Sequence, residues 1–299
     1  MLGNFWIPSE INMNADIKQW KTLSDDEKFA FKRIIGLLAF LDSIQTDFSA
    51  KVADYLTDSS LVANMQVLSF QEVVHNQSYS YVLSSLVSKT EQDEIYEYWK
   101  HDHILRERND FIAEGYEQFT NNPTPETFAK AIVYDVVLEG LNFYSGFAFF
   151  YNLARNQKML GTSTMINYIN RDEQLHVGLF TRIFKELLAE NAELDTPEMR
   201  QFVTETFRKA AELEITWGEY IIGNRFDGID TKDLSDYVKF MANKRVNELG
   251  CERPFEGYRK NPIKWIKAYE DANIGKSDFF EQKSRQYAKV SESNGFDEL

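Results

Sequence analysis

Two Glu-x-x-His segments, Glu72-Val-Val-His75 and Glu173-Gln-Leu-His176, constrain this chain more than any other feature. On an α-helix, residues i and i+3 share one face, with Cβ atoms roughly 5–6 Å apart. A carboxylate and an imidazole at that spacing can point inward and bind one cation. The chain has only 4 histidines, and these segments use two of them. One such segment arises easily by chance in a Glu-rich sequence, whereas two inside apolar helical patterns do not. The plain alternative is surface salt-bridging at i,i+3. The flanking Val67, Leu68, Phe70, Val73 and Val74, and Ile166, Ile169, Leu175 and Val177, argue against it.

Four-helix bundles that hold two metals take a Glu-x-x-His from each of two helices and a lone carboxylate from each of the other two. Glu139 stands in the apolar run Leu138-Glu139-Gly-Leu141, and Asp42 in Leu37-Leu38-Ala-Phe40-Leu41-Asp42. An unpaired buried carboxylate costs several kcal/mol. Two divalent cations against four carboxylates make the site neutral, so the charge sum calls for two metals. Carboxylate-rich ligation with one imidazole per metal suits iron or manganese and suits structural zinc poorly.

The fold class expected is all-α: a ferritin-like four-helix core extended by further long helices. Residues 1–24 read as an extended arm carrying Trp6. Ser24-Asp-Asp-Glu27 is a capping box that opens a helix over 25–56. Further helices are expected over 61–87, 90–119, 125–153, 162–190, 196–222 and 231–249. No Pro/Gly/Ser-rich linker divides the chain, so 1–280 reads as one helical domain and 281–299 as a flexible tail. A net charge of −14 gives nucleic-acid binding no electrostatic support. The single cysteine, Cys251, excludes an intrachain disulfide and fits a reducing, cytoplasmic setting. No 18-residue apolar run suggests a membrane span.

Other residues join this frame by spacing. Tyr79 lies four residues beyond His75, on the same stripe. It reads either as a core tyrosine or as a redox residue. Asp172 adjoins Glu173 but points about 100° away, which makes it a candidate partner for the outer N–H of His75 or His176. Phe143, Phe147 and Ile169 put apolar bulk on the ligand faces, as core packing or as a dry sleeve. Asp135, one turn before Glu139, reads as a helix-end or solvent charge, and His101 and His103 as part of a polar face.

With these motifs in hand, the sequence resembles the small, radical-generating (beta) subunit of class I ribonucleotide reductase. The likeness runs from Asn4-Phe-Trp-Ile-Pro8 through Leu41-Asp42-Ser-Ile-Gln45, Glu72-Val-Val-His75-Asn-Gln-Ser-Tyr79, Leu138-Glu139-Gly-Leu-Asn-Phe-Tyr-Ser-Gly-Phe147 and Arg171-Asp-Glu-Gln-Leu-His176 to the tail. The resemblance implies that Asp42, Glu72 and His75 serve one metal, and Glu139, Glu173 and His176 the other. It implies a radical on Tyr79, generated when oxygen or a reduced oxygen species oxidises the dimetal centre. It also implies a transfer route through Trp6, Asp172 and His75, continued by Tyr287 in the tail to a cysteine of a separate large subunit. The acidic end with Phe296 and Leu299 resembles a docking peptide for that subunit, and family members are homodimers. The metal, iron or manganese, stays open, and with it any need for a flavodoxin-like activase. A ferritin-like iron-handling protein and a related dimetal oxidase are the alternative functions. The first has no use for Trp6, Asp172 or a docking tail, and the second needs a substrate tunnel to the metals.

Overall fold

Long helices follow one another in the computed structural model, which describes residues 5–270. Among these residues no strand forms, and the one isolated bridge joins Phe226 and Ile229. The arm is not wholly extended. A 3-10 turn at Pro8–Glu10 leads to α1, Asn14–Trp20. The buried Asp16 carboxylate ties α1 to the rest of the fold, accepting from the N–H groups of Gly161 and Thr162 and from the Thr162 hydroxyl at 2.7–3.0 Å. A seven-residue helix gains its stability from such tertiary contacts, because isolated short helices are marginal in water.

α2, Asp25–Tyr55, opens on the expected capping box: Ser24 and Glu27 each accept the other's backbone N–H. α3, Ser59–Leu86, is capped by the Asp58 side chain. The loop between them is short, so the two helices pack antiparallel. The expected helix over 90–119 is two helices: α4, Lys89–Glu97, and α5, His103–Asn121. Asp102 explains the break. Its side chain accepts from Leu105 N–H and so starts a new helix. His101 and His103 are exposed, as a polar face requires.

α6, Pro125–Val137, starts with Pro at its first turn after the Thr124 cap. The chain then widens into a π turn over Leu138–Asn142 before α7, Tyr144–Arg155. α8, Leu160–Glu190, packs against α3, α6 and α7. Thus α2, α3, the α6–α7 pair and α8 form the four-helix core. α9, Pro197–Ile221, and α10, Thr231–Glu248, flank it, and the short α11, Lys267–Glu270, follows. Tyr287, Phe296 and Leu299 lie outside the described residues. No described helix is long and apolar enough to cross a membrane.

Candidate metal centre

Each core helix delivers part of one cage. α2 supplies Asp42, α3 supplies Glu72, His75 and Tyr79, the π turn supplies Glu139, and α8 supplies Asp172, Glu173 and His176. All eight side chains are 0–1% exposed. Ligand atoms of Asp42, Glu72, His75 and Glu173 lie within 4.8 Å of one another, and so do those of Glu72, Glu139, Glu173 and His176. Glu72 and Glu173 belong to both groups. The two groups therefore adjoin and overlap at these two carboxylates.

The imidazoles face the cage alike. His75 Nδ1 stands 3.0 Å from Glu173 Oε1 and 3.4 Å from Glu72 Oε2. His176 Nδ1 stands 3.0 Å from Glu72 Oε1 and 3.2 Å from Glu173 Oε2. Each outer nitrogen has its own partner: His75 Nε2 faces Asp172 Oδ2 at 3.4 Å, and His176 Nε2 faces Gln71 Oε1 at 3.0 Å. An Nε2–H donated outward leaves the Nδ1 lone pair free to bind a cation.

The residues fit two divalent ions. Both oxygens of Asp42 and Glu139 Oε2 are buried without a hydrogen bond, and the oxygens of Glu72 and Glu173 that face the cage have only the imidazole Nδ1 atoms beside them. Such orphaned atoms are costly unless a cation takes them up. Four carboxylates and two imidazoles suit iron and manganese alike.

Burial, followed by the charges of Glu72 and Glu173, pushes Asp42 well above the usual carboxylate range. Burial pushes Glu139 up to about 8. For Glu72, burial works upward, but the His75 charge and hydrogen bonds from both imidazoles hold it at about 2. Burial alone would depress both imidazoles. The carboxylate charges, led by Glu72 for His75 and by Glu139 for His176, raise them well above the ordinary range instead.

Tyr79 is wholly enclosed. Burial first, then the Asp42, Glu173 and Glu72 charges, push its phenol far up, so it stays neutral. Its hydroxyl faces Asp42, but the geometry falls short of a complete hydrogen bond. The arm returns to the cage from the other side. Trp6, 7% exposed, donates Nε1–H to Asp172 Oδ2 at 2.9 Å, and its ring stacks 6.2 Å from that of His75. Asp172 serves His75, which leaves His176 to Gln71. Phe143, Phe147 and Ile169 are fully buried.

Three features did not emerge from the sequence. Asp135 does not face solvent; it is 0% exposed and bound to Gln45 and Tyr116. Its position four residues before Glu139, on the same helical stripe, was the available signal. Gln71, next to Glu72, fills the role for His176 that Asp172 fills for His75. The carbonyls freed by the π turn are met by two buried arginines. Arg108 donates Nη2–H to Asn142 O and Nε–H to Glu214 at 2.7 Å, while Arg245 donates Nε–H to Gly140 O at 3.1 Å. Gly140 is what admits Arg245, because a Cβ there would stand 2.8 Å from Arg245 Nε. The apolar flank of the motifs is also not uniformly internal: Phe70 is 50% exposed, and Val73 and Leu175 are each 39% exposed.

Comparison with known proteins agrees with this geometry. The family model for the ribonucleotide reductase small chain matches residues 1–262. A ribonucleoside-diphosphate reductase subunit beta from Halalkalibacterium halodurans is 69% identical over 299 residues, spanning 100% of this chain and 87% of the relative. A protein of the same description from Treponema pallidum is 41% identical, over 97% of this chain and 83% of its own length. The solved ribonucleotide reductase R2 subunit from Clostridium botulinum superimposes with a TM-score of 0.87 at 41% identity, over 90% of this chain and 85% of that one. The chain belongs to the ribonucleotide reductase small-chain family, the metal-binding, radical-generating oxidoreductase subunits that work with a large subunit.

Proposed function

We propose that Asp42, Glu72, His75, Glu139, Glu173 and His176 hold two iron or manganese ions and that Tyr79 carries the radical that starts nucleotide reduction in the large subunit. The observation that supports this most is the pair of overlapping ligand groups, each within 4.8 Å, beside a fully buried tyrosine. When bound, the ions supply the oxidising power, drawn from oxygen or a reduced oxygen species, that takes an electron and a proton from Tyr79. Burial of the phenol, within a core that includes Phe143 and Phe147, keeps water and reductants from the radical.

His75, Asp172 and Trp6 form a continuous contact from the cage to the arm. In this reading Asp172 orients His75 and accepts from the Trp6 indole, so the oxidising equivalent leaves the cage toward Trp6 as an electron passes inward from Trp6. Tyr287, in the tail, is the proposed next station, and the acidic end with Phe296 and Leu299 is the proposed contact with the large subunit. The protein acts as a homodimer, and the half-exposed Phe70, one turn from Val73 on α3, offers an apolar surface for it. If the ions are manganese, a flavodoxin-like activase is a further partner.

The test pairs metal content with low-temperature EPR, before and after reconstitution with iron or manganese and oxidant. Two ions per chain with a tyrosyl signal coupled to them is the expected result. Two ions with no radical under either condition would favour a dimetal oxidase instead.

A further inference from the structure

A second buried polar group stands behind Glu139, and the ligand assignment gives it no role. Gln45, three residues beyond Asp42, is 0% exposed. Its Nε2 donates to Glu139 Oε1 and to Asp135 Oδ1, both at 2.6 Å. Its Oε1 accepts the Tyr116 hydroxyl at 2.7 Å. Tyr116 is itself fixed, stacked on Phe48 with centroids 3.8 Å apart and planes 3° from parallel. The Gln45 amide thus turns its oxygen to the Tyr116 hydroxyl and its NH2 to the two carboxyl groups.

The consequence falls on one ligand. Glu139 has Oε1 tied to Gln45 and Oε2 without any hydrogen bond, whereas neither oxygen of Asp42, the corresponding lone carboxylate, has a partner. The two halves of the cage therefore present different lone carboxylates: one held through one oxygen by the Gln45 amide, the other faced by the Tyr79 hydroxyl without a complete hydrogen bond. We infer that Gln45, oriented by Tyr116 and Asp135, is a positioning residue that presents Glu139 to its metal through one oxygen and so sets the affinity of the Glu139–His176 half separately from the Asp42–His75 half. The inference rests on Glu139 being a metal ligand. It also gives the buried Asp135 a purpose. As the second acceptor for the Gln45 amide, Asp135 holds the NH2 in the plane that reaches Glu139.

The test uses manganese(II) alone, titrated into the metal-free full-length protein and read by low-temperature EPR, with anomalous diffraction at the manganese edge to place each ion. Wild type should bind two ions and give an exchange-coupled signal; failure of wild type to do so would remove the ligand assignment itself. Gln45→Leu should keep the ion at Asp42–His75 but bind the one at Glu139–His176 at least about tenfold more weakly, as loss of a partner behind a metal ligand typically does. The coupled signal then gives way to an uncoupled one at sub-saturating manganese. Tyr116→Phe keeps the stack on Phe48 and loses only the hydroxyl, so it should shift the same ion in the same direction by less. Equal, wild-type binding of both ions in the two variants would overturn the inference. So would equal weakening of both ions in folded Tyr116→Phe, because the effect would not be confined to Glu139.

Discussion

Asp172 Oδ2 joins two residues that are distant in sequence: it accepts the Trp6 indole N–H at 2.9 Å and faces His75 Nε2 at 3.4 Å. The three side chains are buried, and burial works against the Asp172 charge. The His75 hydrogen bond and charge, then Arg171 and the Trp6 hydrogen bond, outweigh it and hold the carboxyl below its ordinary value. An ionised Asp172 keeps His75 in the tautomer that offers Nδ1 to the cage. Trp6→Phe should leave two metals bound and the radical formed. Turnover with the large subunit should fall by roughly 100-fold, the upper range for losing a partner of this kind. Equal loss of radical yield would place Trp6 in assembly of the centre rather than in transfer out of it.

Metal uptake should release protons and strengthen as pH rises. The metal-free cage holds Asp42, His75 and His176 well above their ordinary values and Glu139 at about 8. Groups with raised values stay protonated up to that pH, and ligation requires the proton to leave. Affinity should therefore climb through the neutral range toward pH 8 and above. Calorimetry of manganese(II) binding in buffers of different ionisation heat reads the protons directly. Release of fewer than one proton per chain at pH 7 would contradict this account of the empty cage.

The π turn should depend on its two buried arginines. Burial already raises the Glu214 carboxyl against the pull of Arg108, so removing Arg108 leaves it enclosed without its cation, and breaking one side of a buried pair costs about 3–5 kcal/mol. Arg108→Met should lower unfolding free energy by that order. Arg108→Met combined with Glu214→Leu should recover much of the loss. Denaturant unfolding of the single and double variants measures the coupling. Additive losses in the double variant would mean that the arginine acts through the Asn142 carbonyl alone.

Deleting the last 15 or so residues should leave metal content and radical intact and abolish nucleotide reduction with the large subunit. Activity assays at rising large-subunit concentration separate lost docking from lost chemistry. Unchanged activity would remove the tail from the interface.

Legibility followed periodicity and failed where partners were distant. The Glu-x-x-His spacing located both halves of the cage because i and i+3 share a helix face whatever the surroundings. Asp42 and Glu139 stood out as charges in apolar runs. Overlap of the two side-chain groups at Glu72 and Glu173 depends on how α3 and α8 pack, which no local spacing encodes. Asp135 looks like an ordinary helix charge until Gln45 and Tyr116, 90 and 19 positions away, are seen to enclose it. The π turn leaves no strong pattern, since its carbonyls are satisfied by Arg108 and Arg245 from other helices. The break before α5 is readable in Asp102, a capping residue within a polar run.

The central claim is that the oxidising equivalent resides on Tyr79. Full-length protein grown on ring-deuterated tyrosine, reconstituted with iron or manganese and oxidant, tests it by EPR beside the Tyr79→Phe variant. The account predicts a radical signal that narrows on deuteration in wild type and is absent from Tyr79→Phe, while both proteins hold two metals per chain. A tyrosyl signal that persists in Tyr79→Phe, or a wild-type signal indifferent to deuteration, would contradict it.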